Sequence, residues 1–236
     1  GANALADEQH AYAQAVSQSL PWAYWRLGEL QGQPVSDQLE DGWRVQDQVA
    51  ATGQGRQAIY EPGVAFFLPG PRGAGLQQQF RGNRAVQFAG GRVRAGRQGL
   101  PEDYTVECWV WNGFPNSDRA VTGYFFSRRP AGDPQAAGDH LGLGGNYEGA
   151  GNDGRLILFN GNEANGLLAG RTVLQPRTWH HVAFARRGSH VTVWLDGAEQ
   201  PEIDGELKAT FGAEHDLFLG GRSDGLYGLE GRLDEF

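Results

Sequence analysis

Apolar and polar positions alternate most strictly between Thr178 and Gly197, which reads TWHHVAFARRGSHVTVWLDG. Val182 and Phe184 interleave with His181, Ala183 and Ala185; beyond Arg187-Gly188-Ser189, Val191, Val193 and Leu195 interleave with Thr192 and Trp194. A period of two over β-branched and aromatic residues, broken by a short connection containing Gly, predicts a β-hairpin with one buried face. Val182, Phe184, Val193 and Leu195 are its predicted core residues. Asp196-Gly197 accepts positive φ, so the chain is expected to turn again at once and continue as a meander.

The same pattern recurs in shorter pieces. Tyr104 to Trp111 (YTVECWVW) sets Val106, Cys108 and Val110 on one face, and such an apolar run predicts cover on both sides. Further strands are expected at Trp22–Glu29, Ala85–Phe88, Arg92–Arg94, Gly123–Arg128, His140–Leu143, Arg155–Asn160, Leu167–Leu174, Leu207–Phe211, Asp216–Gly221 and Leu229–Phe236. Between Leu30 and Arg81 the signal is weak, with short apolar pieces at Ala58–Tyr60 and Val64–Leu68. Ahead of all these, Leu5, Tyr12, Val16 and Leu20 recur at helical spacing within an Ala- and Gln-rich stretch that Pro21 ends, which predicts a short helix. Strands at this density, separated by turn residues, predict an all-β fold: a two-sheet antiparallel sandwich of jelly-roll type. The expected organisation is a helical segment at residues 1–21 packed on one sandwich domain at 22–236. The last strand stops abruptly at Phe236, which suggests that further sequence follows or that another segment completes the edge.

Composition adds limits. At 236 residues the chain has ample length for a core, and 37 Gly and 11 Pro spread along it suit short strands joined by turns. No apolar run approaches the ~20 residues of a membrane-spanning helix. A net charge of −8, with no dense arginine cluster, argues against a nucleic-acid partner. Cys108 is alone, so no internal disulfide forms, and its place in an apolar strand reads as a small buried thiol. Met is absent, so the sequence is read as a processed product or a piece of something longer; no signal peptide is visible in it.

Six pieces now carry a resemblance: WAYWRLGE (Trp22–Glu29), VECW (Val106–Trp109), TWHHVAF (Thr178–Phe184), VWLDG (Val193–Gly197), LFLGG (Leu217–Gly221) and GRLDEF (Gly231–Phe236). In this order they resemble the laminin-G-like, concanavalin-A-like jelly-roll domains, in the bacterial branch found within large secreted or surface proteins. The resemblance implies two curved sheets, often with calcium, and a binding role rather than catalysis. It places the chain outside the cell or on its surface, with a glycan, an extracellular or surface protein, or other domains of a longer parent chain as partner. In the laminin-G type an aspartate opening one strand shares a rim calcium site with a ligand near the LxLGG strand, and Asp139 and Asp216 occupy those places. In the hydrolase-like branch an aspartate of the last strand binds the ion with backbone oxygens, and Asp234 matches it. Capping of turns and plain surface charge are the competing roles for all three.

Other constellations bear on chemistry. Glu202-Ile203-Asp204-Gly205-Glu206 resembles the ExDxE motif of laminarinase-type glycoside hydrolases, whose alternate carboxylates share a strand face. In those enzymes the motif precedes the pair resembling TWHHVAF and VWLDG; here it follows, and Gly205 weakens the strand, so a solvated acidic turn is expected. His180 and His181 are adjacent and face opposite ways on a strand, so they cannot share a metal ion. The loop region with Asn146, Asn152, Asp153, Asn160, Asn162 and Asn165 carries amides and a carboxylate of the kind that bind sugar hydroxyls, and it is equally the composition of a mobile Gly-rich loop. The expected function is therefore a non-catalytic recognition or structural module binding a glycan or a neighbouring protein. A glycoside hydrolase and a purely architectural domain are the alternatives.

Overall fold

The computed structural model describes residues 12–236 apart from 31–32, 35–42, 45–57, 72–82, 99, 131–132, 134–135, 162–165, 210 and 212–213. In chain order its strands are β1 (Gln33–Pro34), β2 (Trp43–Arg44), β3 (Ile59–Tyr60), β4 (Val64–Pro69), β5 (Arg84–Ala89), β6 (Val93–Gln98), β7 (Tyr104–Asn112) and β8 (Val121–Pro130). They continue with β9 (Asp139–Gly144), β10 (Arg155–Phe159), β11 (Leu167–Val173), β12 (Trp179–Arg187), β13 (His190–Leu195), β14 (Ile203–Glu206), β15 (His215–Leu219) and β16 (Glu230–Asp234). One sheet runs β1-β2-β3-β6-β15-β8-β9-β10-β11 and the other β14-β13-β12-β7-β16-β5-β4. All named strand pairs are antiparallel, so the fold is the jelly-roll sandwich that the alternation predicts. No described helix is long and apolar enough to cross a membrane.

The organising hairpin forms as read. β12 and β13 pair from Val182↔Leu195 to Arg187↔His190, and Gly188 supplies the positive φ of +58° at the turn. Val182, Phe184, Val191 and Val193 are all at most 1% exposed, and they meet Leu141, Leu143, Leu156 and Leu158 of the facing sheet in one core. Within that core lies a polar node. Asp139 and Arg186 form a buried ion pair, one from each sheet, with Arg186 Nε 2.6 Å from Asp139 Oδ2 and the Tyr104 hydroxyl donating to the same oxygen at 2.6 Å. Arg128, also fully buried, stacks 4.2 Å from the Tyr104 ring and 4.1 Å from the Phe211 ring.

Several expectations are corrected. Trp22–Glu29 is not a strand but an extended segment that buries Tyr24, Trp25 and Leu27. Its one sheet-like contact is at Trp25, which exchanges both backbone hydrogen bonds with Phe236 (2.7 and 2.8 Å), so another segment does pair with the residues after the last strand. Aromatic density here reflects burial at the sandwich edge rather than strand pairing. No strand forms among the described residues of 207–211, where Leu207 N–H instead bonds Ser189 O. Glu202–Glu206 is not a turn: Ile203–Glu206 is the edge strand β14, paired to β13. Helical structure is described at residues 12–18; the rest of the predicted N-terminal helix lies outside the described residues.

Candidate functional site

Register fixes which side chains share the outer face of the nine-stranded sheet. Phe159, His140, Ser127 and Phe218 are cross-strand neighbours on β10, β9, β8 and β15. Their partners one residue along, Leu158, Leu141 and Phe126, point into the core, so this row faces outward. Ser127 Oγ lies 2.7 Å from His140 Nδ1 and accepts the Ser223 N–H at 3.2 Å. Burial, reinforced by the Arg222 and Arg129 guanidinium groups, pushes the His140 imidazole down to about 3, so it is neutral.

Loop 220–228 lies across this row. Arg222 pairs with Asp224 and stands 5.3 Å from the Tyr124 ring and 5.5 Å from the Phe159 ring. Burial pushes the Asp224 carboxyl up, but the Leu226 N–H and the Arg222 guanidinium outweigh it and hold the group below its ordinary range. Tyr124 N–H to Tyr227 O (2.9 Å) ties the far end of the loop to β8. The pinned loop presents Leu226 and Tyr227 to solvent, 55% and 39% exposed.

A second loop stands beside it. After β9, a 3-10 turn at Tyr147–Gly149 leaves Tyr147 56% exposed. Asn146 holds this loop by its backbone N–H to Arg119 O (3.0 Å) and its side-chain amide to Ser117 O (2.6 Å). Arg119 also donates to Gly228 O at 2.8 Å, so one residue joins both loops. Exposed tyrosines on two braced loops offer flat, amphipathic rings whose negative faces attract the C–H edges of a sugar. Neighbouring amides and carboxylates can take its hydroxyls.

The structure separates the residues grouped by the sequence reading. Asn146, Asn152 and Asp153 stand before β10, whereas Asn160 follows it. Five strand residues span about 17 Å, so the set is not one site. Asn160 is buried and braces the backbone, with its carbonyl accepting from Gly138 N–H and its own N–H donating to Gly166 O. Asn162 and Asn165 lie outside the described residues. Tyr147, Arg119, Arg222, Leu226 and Tyr227 were not picked out from the sequence. The signal for the last two was available: in Ser223-Asp224-Gly225-Leu226-Tyr227 a turn string ends in two large apolar residues outside any alternation.

The metal candidates separate in the same way. Asp139 lies directly across from Arg128, whose other neighbour is Leu217, so it faces the interior, where Arg186 neutralises it. Asp216 lies across from Arg129, on the opposite face of the pleat. The two cannot share an ion. Asp234 is fully buried and accepts from the Asn83 amide through Oδ2, while Oδ1 has no hydrogen-bond partner. Burial, and then Glu235, push its carboxyl well above the ordinary range. An orphaned buried carboxylate oxygen fits one cation ligand, with backbone carbonyls left to supply the rest. Among the described residues no group of three or more His, Cys, Asp or Glu is placed to hold a metal.

The ExDxE-like carboxylates brace the edge of the sandwich. Glu202 accepts from the backbone N–H groups of Arg171 (2.8 Å) and Thr172 (2.9 Å), which staples β14 of one sheet to β11 of the other. Asp204 and Glu206 both meet His190, at 2.9 and 3.2 Å, on the exposed edge. His180 and His181 hold one carboxylate between them: His180 Nδ1 and the His181 backbone N–H each lie 2.8 Å from an Asp196 oxygen.

Residues 82–236 match the Laminin_G_3 family of the concanavalin A-like lectin/glucanases superfamily. The chain belongs to that superfamily. Among solved structures with this architecture, domain 4 of a GH43 extracellular arabinanase from Geobacillus stearothermophilus, in complex with arabinotriose, is 19% identical. That match covers 90% of this chain and 88% of the other at a TM-score of 0.49. A sialidase from Trypanosoma rangeli is 12% identical over 90% of this chain and 29% of its own, at a TM-score of 0.54. The carbohydrate-binding module CBM66 from Bacillus subtilis is 13% identical over 64% of this chain and 82% of its own, at 0.37. No curated protein matches the sequence.

Proposed function

We infer that this superfamily member is a non-catalytic glycan-binding module of an exported protein, and that the sugar lies across Tyr147 and Tyr227. The observation that carries the reading is the pair of exposed tyrosines on loops that Arg119 braces together. A braced aromatic rim loses little freedom on binding, which is what a weak, stacking ligand requires. Asn146, next to Tyr147, and Asn152 and Asp153, on the same segment before β10, are the residues we assign to its hydroxyls, whereas Asn160 acts as a brace. The carboxylates of Glu202 to Glu206 serve the sandwich edge, which supports binding over hydrolysis. Glycan-array binding should fall at least tenfold for Tyr147→Ala and for Tyr227→Ala, with the melting temperature unchanged. Retained binding in both variants sinks the reading.

Calcium belongs to the same proposal, with Asp234 as its carboxylate ligand and backbone carbonyls completing the shell. When bound, the ion would neutralise a buried carboxylate and fix the end of β16. A ligand bound only by the folded state stabilises by ~2.7 kcal/mol at a hundredfold excess over its dissociation constant. Added calcium should therefore raise the melting temperature and a chelator lower it. Asp234→Asn should abolish the response and Asp216→Ala should leave it intact; the reverse pattern returns the ion to the rim.

A further inference from the structure

β7 lies in the middle of its sheet, yet part of it is an edge. β12 pairs with it continuously from Tyr104 to Trp111, whereas β16 pairs with it only from Trp109 to Asn112. Past Asp234 the chain leaves β7: Glu235 takes a φ of +51° and Phe236 pairs with Trp25 instead. Among the described residues no backbone partner takes the β7 groups on that side, and their direction follows from alternation. Asn112 O accepts from Arg177 on the β12 side and Gly113 N–H donates to Glu230 on the β16 side, so even positions face β12 and odd positions face β16. The backbone N–H and C=O of Thr105 and Glu107 therefore point into the lane that β16 has left.

That lane is a cleft of about 780 Å³, and Tyr104, Thr105, Val106 and Glu107 line it consecutively. Its other walls are mainly apolar, with Val16 of the helical segment, Trp22, Leu100, Phe126, Leu217 and Phe236. Asp103, Glu107 and Glu235 bring carboxylates to it; Glu235 is taken by Arg26, and His181 stands 3.9 Å from Glu107. A row of backbone donors and acceptors in an apolar slot specifies its occupant by geometry, because only an extended chain presents complementary groups at the same repeat. A lipid or other small apolar molecule would leave those groups unpaired.

We propose that this cleft is a strand-addition site, in which an extended peptide of a partner protein, apolar at alternate positions and carrying a lysine or arginine, pairs with β7 at Thr105 and Glu107. The segment fills the lane beside residues 104–108, about 17 Å of strand edge, and its cation answers Asp103 and Glu107. This proposal is independent of the glycan reading, which concerns the other sheet.

The test uses the full chain and a phage-displayed random heptapeptide library. In the free protein, hydrogen exchange should be fast at the Thr105 and Glu107 amides and slow at Val106 and Cys108, whose amides bond β12. Selected peptides should alternate apolar residues around a basic one, and adding such a peptide should slow exchange at Thr105 and Glu107. Thr105→Pro removes an N–H that β12 does not use, so it should weaken peptide binding at least tenfold without loosening the hairpin. Val16→Trp, on the opposite wall, should do the same by filling the cleft, and it keeps the test open should the proline variant fail to fold. The proposal is overturned if Thr105 and Glu107 are already protected in the free protein. It also fails if the library yields no binder while oleate occupies the cleft, or if selected peptides bind both variants as tightly as the parent.

Discussion

Asp139→Ala is expected to cost about 3–5 kcal/mol in urea unfolding, the range for breaking a buried pair by deleting one partner. The carboxylate and Arg186 side chains are 0% and 1% exposed, and they meet from opposite sheets. Deleting the carboxylate strands the Arg186 guanidinium and removes the acceptor of the Tyr104 hydroxyl. It also leaves the region with a second buried guanidinium, Arg128, and no anion between them. A loss below ~1 kcal/mol would show that water reaches Arg186 and that the node is not dry.

Phe184→Ala should cost a similar amount, ~3–5 kcal/mol, as expected for a large aromatic removed from a filled core. Phe184 is 0% exposed, meets Tyr104 edge-on at 5.5 Å and lies 6.2 Å from Phe126. It therefore forms the apolar support of the ring whose hydroxyl binds Asp139. Because Tyr104 is common to both sites, the double variant should lose less than the sum of the two. Strict additivity would mean that Tyr104 holds its place without either partner.

What could be read from the sequence divides along physical lines. The hairpin at 179–195 was legible because one of its faces is buried along its whole length, so burial imprints a period of two. The extended Trp22–Leu27 segment carries as many apolar residues, but it is buried by a single contact line, and composition alone could not distinguish it from a strand. Asp139 looked like a rim ligand because it opens an apolar strand. Its partner Arg186 lies 47 positions away on the other sheet, and no local pattern encodes that. The candidate glycan site was half legible. The Asn146 loop announced itself by composition, whereas loop 220–228 is brought beside it only by Arg119 and the entry to β8. The split of Asn152 from Asn160 follows from β10 lying between them, which a list of amides cannot show.

The pairing of Trp25 with Phe236 has a mechanical side. The two residues run antiparallel and exchange two backbone hydrogen bonds; beside them Glu235 N–H donates to Arg26 O (3.2 Å) and the Arg26 guanidinium pairs with the Glu235 carboxylate (2.7 Å). Tension between these points peels the contact open one bond at a time instead of shearing the sheets past one another. The sandwich itself carries none of that load until the clasp has opened. The load path between the two residues is therefore one strand spacing long, about 4.8 Å, and the clasp is the first part of the domain to yield.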